Sequence, residues 1–166
     1  TSAAWDQTIR VRDIERGTDA LRFDAFRERP LALEYAPDGS ALLIGLGNIG
    51  NEPFSLADRS VDTSVWVWDL RFRDEMLSFE EHGDWVWSVD LHPSEEIVAT
   101  GSGPLRLPTV EQGEAVPTTD TSIRLWDVER GEPIRQLTGH SDTVDTLAFH
   151  PDGETLFSGS WDGFII

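Results

Sequence analysis

The sequence predicts an all-β fold assembled from a repeated four-stranded antiparallel unit, and three observations carry that prediction. A short motif recurs along the chain as "DQTIRVRD" (6–13), "DTSVWVWD" (62–69), "DTSIRLWD" (120–127) and "DGFII" (162–166). A longer pattern precedes it. "HGDWVWSVDLHPSEEIVATGS" (82–102) aligns without a gap on "HSDTVDTLAFHPDGETLFSGS" (140–160), and "LALEYAPDGSALLIGLG" (31–47) follows the same outline. Finally, large side chains alternate at the period of a strand, as in Trp66/Trp68 and Trp85/Trp87. No stretch carries a convincing stripe at helical spacing.

The repeat length follows from the spacing. Asp6, Asp62, Asp120 and Asp162 stand 56, 58 and 42 residues apart, while Pro37, Pro93 and Pro151 fall in register with one another, as do Gly45, Gly101 and Gly159. From each aligned Gly to the next Asp is 17, 19 and 3 residues. Removing the excess of 14 and of 16 leaves 42 in every unit, so the period is 42 with two insertions at one equivalent point.

Taken in order, residues 5–26 carry the third and fourth strands of one unit. Residues 27–82 form a whole unit with an inserted loop at 48–61, and 83–140 a second with an inserted loop at 103–119. Residues 141–166 begin a further unit. In the unit 83–140 the strands read "WVWSVDL", "EIVATGS", "TSIRLWDV" and "PIRQLTG", rich in β-branched and aromatic residues. "RFRDEMLSFEEH" (71–82) comes closest to a helix but aligns with the fourth strand of the other units. "PDG" at 37–39 and 151–153, with "ERGTD" (15–19) and "ERGEP" (129–133), are turns in which Pro sets φ, Asp bonds back to the backbone and Gly accepts positive φ.

The 166 residues allow one domain with a real core. Cysteine is absent, which excludes disulfides, thiolate chemistry and cysteine-based zinc sites. No apolar run approaches a membrane span and no secretory leader is visible, but the chain begins without Met, so targeting is not legible from it and location is unknown, with the cytoplasm favoured. The net charge is −18, with 13 basic residues that are all Arg. Such a surface repels nucleic acid and anionic lipid, so neither is expected as a partner. Acid-rich, Lys-free composition of this kind chiefly serves solubility, and a basic partner or a cation is the other reading.

A period of 42 in four strands, with "TGH" (138–140), "SGSWD" (158–162) and "SIRLWD" (122–127), resembles the WD-repeat β-propellers along the whole chain. The resemblance implies blades held by a buried hydrogen-bonded tetrad. Its positions are matched by His82, Thr100, Asp120 and Trp126 in one unit and by His140, Ser158 and Asp162 in the next. The unit before them departs from the pattern: Phe26 stands at the His position and Ile44 at the hydroxyl position, leaving Asp62 and Trp68. Arg12 takes the Trp position in the opening strand. The chain opens on a third strand, without an initiator Met, and closes inside a third strand. It therefore reads as a fragment of about three and a half repeats. The alternative is assembly of copies through unclosed blade edges, with strands 6–13 completing the unit begun by 143–160.

Chemistry is weighed against this frame. "GLGNIG" (45–50) has the glycine spacing of a dinucleotide-binding turn, and Asp69 stands at a tempting distance beyond it. Yet Pro53 and the short "NEPFSLADRS" leave no room for the helix that would meet a phosphate. No cofactor is expected. His140, Ser158 and Asp162 read as structural rather than as a hydrolytic triad, because a catalytic site is needed once and a nucleophile needs an exposed setting. His92 and His150, each before a Pro, lack a neighbouring ligand at metal-site spacing, and "EEHGD" (80–84) reads as a solvated boundary turn before a cation site.

The expected function is therefore a non-catalytic protein-interaction scaffold. The alternative is a sensory or regulatory module of a larger, multidomain bacterial protein whose other region is enzymatic. The two insertions emerge on the face that carries the His82 and His140 loops, and long loops on rigid scaffolds carry function. Phe54, Leu56, Leu105, Leu107 and Val110 are apolar residues in them, which either pack down on the blade edge or form a partner-binding patch. Trp85 and Trp87 open the first strand of a blade near that face. With Val86 at the apolar position matching Val144, Trp87 points outward and Asp145 is its equivalent. These residues are the candidates for partner binding.

Overall fold

The structure is a computed structural model that describes residues 1–4, 6–23, 29–47, 63–71, 74–104 and 120–166. They form thirteen strands and no helix. The first sheet holds β1 (Ser2–Ala3), β2 (Ile9–Asp13) and β3 (Thr18–Phe23). The second holds β4 (Arg29–Tyr35), β5 (Ala41–Gly47), β6 (Val65–Asp69) and β7 (Asp74–Phe79), in that order across the sheet. The third repeats the arrangement with β8 (Trp85–Leu91), β9 (Ile97–Gly103), β10 (Ile123–Asp127) and β11 (Glu132–Leu137). The fourth pairs β12 (Val144–Phe149) with β13 (Leu156–Ser160). Every pairing is antiparallel. The stretch nearest to a helix in sequence, 71–82, contains β7. The two-residue β1 is too short to announce itself in the sequence.

Successive sheets pack through their inner strands, β1 on β4, β4 and β5 on β8, and β8 and β9 on β12, and the described residues do not close a ring. This explains why "ALLIGLG" is apolar without alternation. Leu42, Ile44 and Leu46 face the first sheet, where they meet Ile9 and Phe23. Leu43 faces the third sheet among Val65, Val67, Phe79, Val86, Val89, Val98, Trp126 and Val128. A strand covered on both faces has no solvent side to keep polar.

The aligned glycines are demanded by this packing, not by backbone conformation. A Cβ on Gly45 would lie 2.9 Å from Val86 Cγ1, and one on Gly47 would lie 2.8 Å from Trp85 Cβ. In the next seam a Cβ on Gly101 would meet Val144 Cγ1 at 2.8 Å, and one on Gly103 would meet Thr143 Cα at 2.3 Å. "GLG" and "GSG" are thus where one sheet's backbone lies on the next sheet's first strand. Ser88 Oγ–H, donating to the Val144 carbonyl at 3.0 Å, closes the same seam.

At the other end of β8, His92 joins the third and fourth sheets. Its Nδ1 accepts the Ser94 and Glu95 N–H groups at 3.2 and 2.9 Å, which obliges Nε2 to carry the hydrogen donated to the Gly153 carbonyl at 3.0 Å. The ring also meets Phe149 edge-on, with centroids 5.1 Å apart. Gly153 has φ of 77°, the turn geometry that its "PDG" predicts.

The innermost strands of the second, third and fourth sheets are each broken by a bulge near the start, between Pro30 and Ala32, Val86 and Ser88, and Val144 and Thr146. The residues left out of the ladder are Leu31, Trp87 and Asp145. A bulge re-aims the side chain it carries, so these three leave the alternation of their strands at one end of the sheets.

Candidate functional site

The loops at that end are fixed from beneath by buried polar chains. His82 Nδ1–H donates to Asp120 Oδ2 at 3.2 Å, and its Nε2 lies 2.6 Å from Thr100 Oγ1. Trp126 Nε1–H donates to the same hydroxyl at 2.8 Å. An indole can only donate and the Asp120 carboxylate only accepts, so the chain of donors closes with Thr100 O–H donating to a neutral His82. Asp120 Oδ2 also accepts the Gly83 N–H at 2.8 Å, and the Thr63 hydroxyl donates to the His82 carbonyl at 2.7 Å. The fourth sheet repeats the pattern. His140 Nδ1–H donates to Asp162 Oδ2 at 2.9 Å, and Nε2 is hydrogen-bonded to Ser158 Oγ at 2.8 Å.

The second sheet departs from this as its sequence does. Ile44 occupies the hydroxyl position with no exposed surface, and Trp68 Nε1 is buried without a hydrogen-bond partner among the described residues. Phe26 and Asp62 lie outside the described residues.

These networks set the charge states. Burial pushes the His82 pKa below its ordinary value, against the pull of Asp120. Burial opposes ionisation of Asp120, but hydrogen bonds from His82, Ser122 and the Gly83 N–H outweigh it and hold the carboxyl well below its usual range. Asp162 is likewise opposed by burial, yet the Ser141 and Phe164 N–H groups and His140 lower it to about 2. The consequence for stability has one sign. The unfolded chain takes up a proton at His82 near pH 6.5, where the folded chain does not. Stability therefore falls as the pH drops below about 6.5. A second loss follows below about pH 4, as the unfolded carboxylates protonate before the folded ones, and it runs down through about 2 for Asp162. Melting temperature followed by circular dichroism should decline in these two stages on acidification, and Asp162→Asn should shrink the lower one. A melting temperature that rises between pH 6.5 and 5 would contradict the His82 assignment.

Above the networks lies a ladder of tryptophans. Trp85 and Trp87 have ring centroids 5.9 Å apart, and Trp87 and Trp161 are 5.7 Å apart. Trp85 is buried over Gly47, 8% exposed, so it is a packing residue and not the partner-facing residue that its sequence suggests. Trp87 is half-buried and donates its indole N–H to the Gly103 carbonyl at 2.9 Å. Trp161, 45% exposed, donates to Asp145 Oδ2 at 3.0 Å. Sequence reading passes over Trp161 because "SGSWD" reads as a repeat signature. Its signal was positional: Trp161 stands in the register of Gly47 and Gly103, where the other units need no side chain. Phe54, Leu56, Leu105, Leu107 and Val110 lie outside the described residues.

Ser158 is buried inside its network and lacks the exposed setting of a nucleophile. Gly45 and Gly47 lie against Val86 and Trp85, and Asp69 is buried and bound by Arg71, with Arg71 Nη2 2.9 Å from Oδ2. His92 is engaged between sheets and His150 is paired with Asp152 at 2.9 Å. In the 80–84 turn, Asp84 accepts the Asp120 N–H at 3.2 Å, and Glu81 pairs with Arg124 at 3.1 Å. Among the described residues no group of three His, Asp or Glu side chains could hold a metal ion.

Known proteins are similar to this chain in sequence. The family described as WD domain, G-beta repeat matches residues 73–127 and 131–166, more than half of the chain. The serine-threonine kinase receptor-associated protein of Bos taurus is 29% identical over 163 residues, covering 98% of this chain and 37% of that protein. The nuclear distribution protein nudF of Aspergillus terreus is 32% identical over 109 residues, 63% of this chain and 24% of that protein. The DENN domain and WD repeat-containing protein SCD1 of Arabidopsis thaliana is 24% identical over 164 residues, 99% of this chain and 11% of that protein. The chain spans well under half the length of each of these relatives.

Proposed function

Because the chain belongs to the WD-repeat family, we propose that it serves as a non-catalytic scaffold for protein–protein contact, binding through the face that carries the His82 and His140 loops. WD repeats generally mediate such contacts. The observation that carries the reading is the pair Trp87 and Trp161, brought together from two sheets above loops whose Gly83 and Ser141 N–H groups are tied to Asp120 and Asp162. Partner affinity rests on a few rigid aromatic anchors held in place before binding.

The test is affinity capture from cells on the immobilised chain. Trp87→Ala, and shortening of 48–61 or of 103–119, are each expected to remove at least one captured protein. Survival of every captured partner through all three changes would sink the site assignment. A second reading, a regulatory module within a larger protein, is favoured by the share of the relatives that the chain spans and by the relative whose name joins a DENN domain to WD repeats. It uses the same face, directed at a neighbouring domain.

A further inference from the structure

We propose that Trp87, Trp161 and Asp145 form a receptor for a cationic side chain, an arginine of a basic protein partner. This rests on the scaffold reading and names the chemistry of what docks. The two rings come from different sheets, Trp87 from the bulge in β8 and Trp161 from the turn after β13, and stand 5.7 Å apart at an angle of 49°. Both indole N–H groups are used within the protein, by the Gly103 carbonyl and by Asp145. The rings therefore need no polar partner from outside, and Trp161 presents ring surface to solvent. Trp85 backs the ladder from its buried end, so little side-chain freedom is lost when a partner arrives.

Asp145 selects the occupant. It is exposed, and its Oδ2 accepts the Trp161 N–H, while Oδ1 has no partner among the described residues. A neutral apolar group seated on Trp161 would strip water from this carboxylate and return nothing. A phosphate would be repelled by it and by the net charge of −18. A guanidinium satisfies both elements, since its plane stacks on indole and its fork pairs with a carboxylate. The acidic surface that solubilises the chain would also steer a basic segment to this face.

The probe is the peptide acetyl-(Gly-Arg)3-amide, with lysine and citrulline versions, titrated into the intact chain and followed by the indole N–H resonances in NMR. The arginine peptide should shift the Trp161 and Trp87 resonances, the lysine peptide should bind a few-fold more weakly, and the citrulline peptide should not bind. Trp161→Ala and Asp145→Asn should each weaken arginine-peptide binding by about fivefold or more. Asp145→Asn should leave the melting temperature unchanged, and Trp161→Ala should lower it by no more than a few degrees, since the ring is 45% exposed. Equal binding by the citrulline peptide, no binding of the arginine peptide, or an affinity untouched by both variants would overturn the receptor; the last result would mean diffuse charge attraction alone. The cell capture separates this from the scaffold reading. Partners lost on loop shortening but kept by Trp161→Ala would leave the scaffold standing without the receptor.

Discussion

Replacing Trp126 by alanine should lower stability by about 3–5 kcal/mol, measured by equilibrium urea denaturation. The indole is 2% exposed and stacks on Phe79 with centroids 4.7 Å apart, in the cluster shared by the second and third sheets. Its loss leaves a cavity between sheets and removes the N–H that meets Thr100 Oγ1 opposite His82. Domains of this size are stable by only about 5–15 kcal/mol, so the variant should lose a large share of its stability. Phenylalanine separates the two contributions. Trp126→Phe keeps most of the ring and deletes the donor, and should cost about 1–2 kcal/mol. Trp68→Phe should cost less, because the Trp68 N–H has no partner among the described residues. Equal costs for the two phenylalanine variants would mean that the hydrogen-bonded chain contributes nothing beyond packing.

Gly103→Ala should be strongly damaging for a single added methyl, costing about 3 kcal/mol or more. The new Cβ would lie 2.3 Å from Thr143 Cα and 2.6 Å from Thr143 Cβ. Thr143 is fully buried, and its hydroxyl is tied to the Pro104 carbonyl at 2.7 Å. Backbone is in the way, not the end of a flexible side chain, so relief requires the third and fourth sheets to separate. Gly39→Ala is the contrast. Gly39 has φ of 71° and nothing within 4 Å of the added carbon, so only conformational strain opposes it, about 1 kcal/mol. Melting temperatures should fall by roughly 6–12 °C for Gly103→Ala and by a few degrees for Gly39→Ala. A smaller effect at Gly103 than at Gly39 would show that crowding between sheets is not what requires glycine there.

These variants mark how far the sequence could be read. The strands, the period of 42, the positive-φ turns at Gly39 and Gly153 and the meeting of His82, Thr100, Asp120 and Trp126 all follow local rules repeated along the chain. Strand alternation and turn chemistry are properties of a few neighbouring residues, and the repeat states them more than once. The candidate site was legible only in part. Trp87 and Asp145 could be aligned as equivalents, but Trp85 looked as available as Trp87, and Trp161 was absorbed into a family signature.

By itself, then, the sequence determined an all-β repeat of four-stranded units, its turns and the polar chains beneath its loops. The tertiary structure alone decided that "GLG" is a seam between sheets, that Trp85 is buried while Trp161 reaches solvent, and that His92 holds its hydrogen on Nε2. Each of these depends on residues far apart in the chain. Ser88 meets Val144 across 56 positions and His92 meets Gly153 across 61. Hydrogen-bond periodicity fixes where a strand lies, but the distance between packed sheets, and the bulges that turn Trp87 and Asp145 outward, are set by how the units settle on one another.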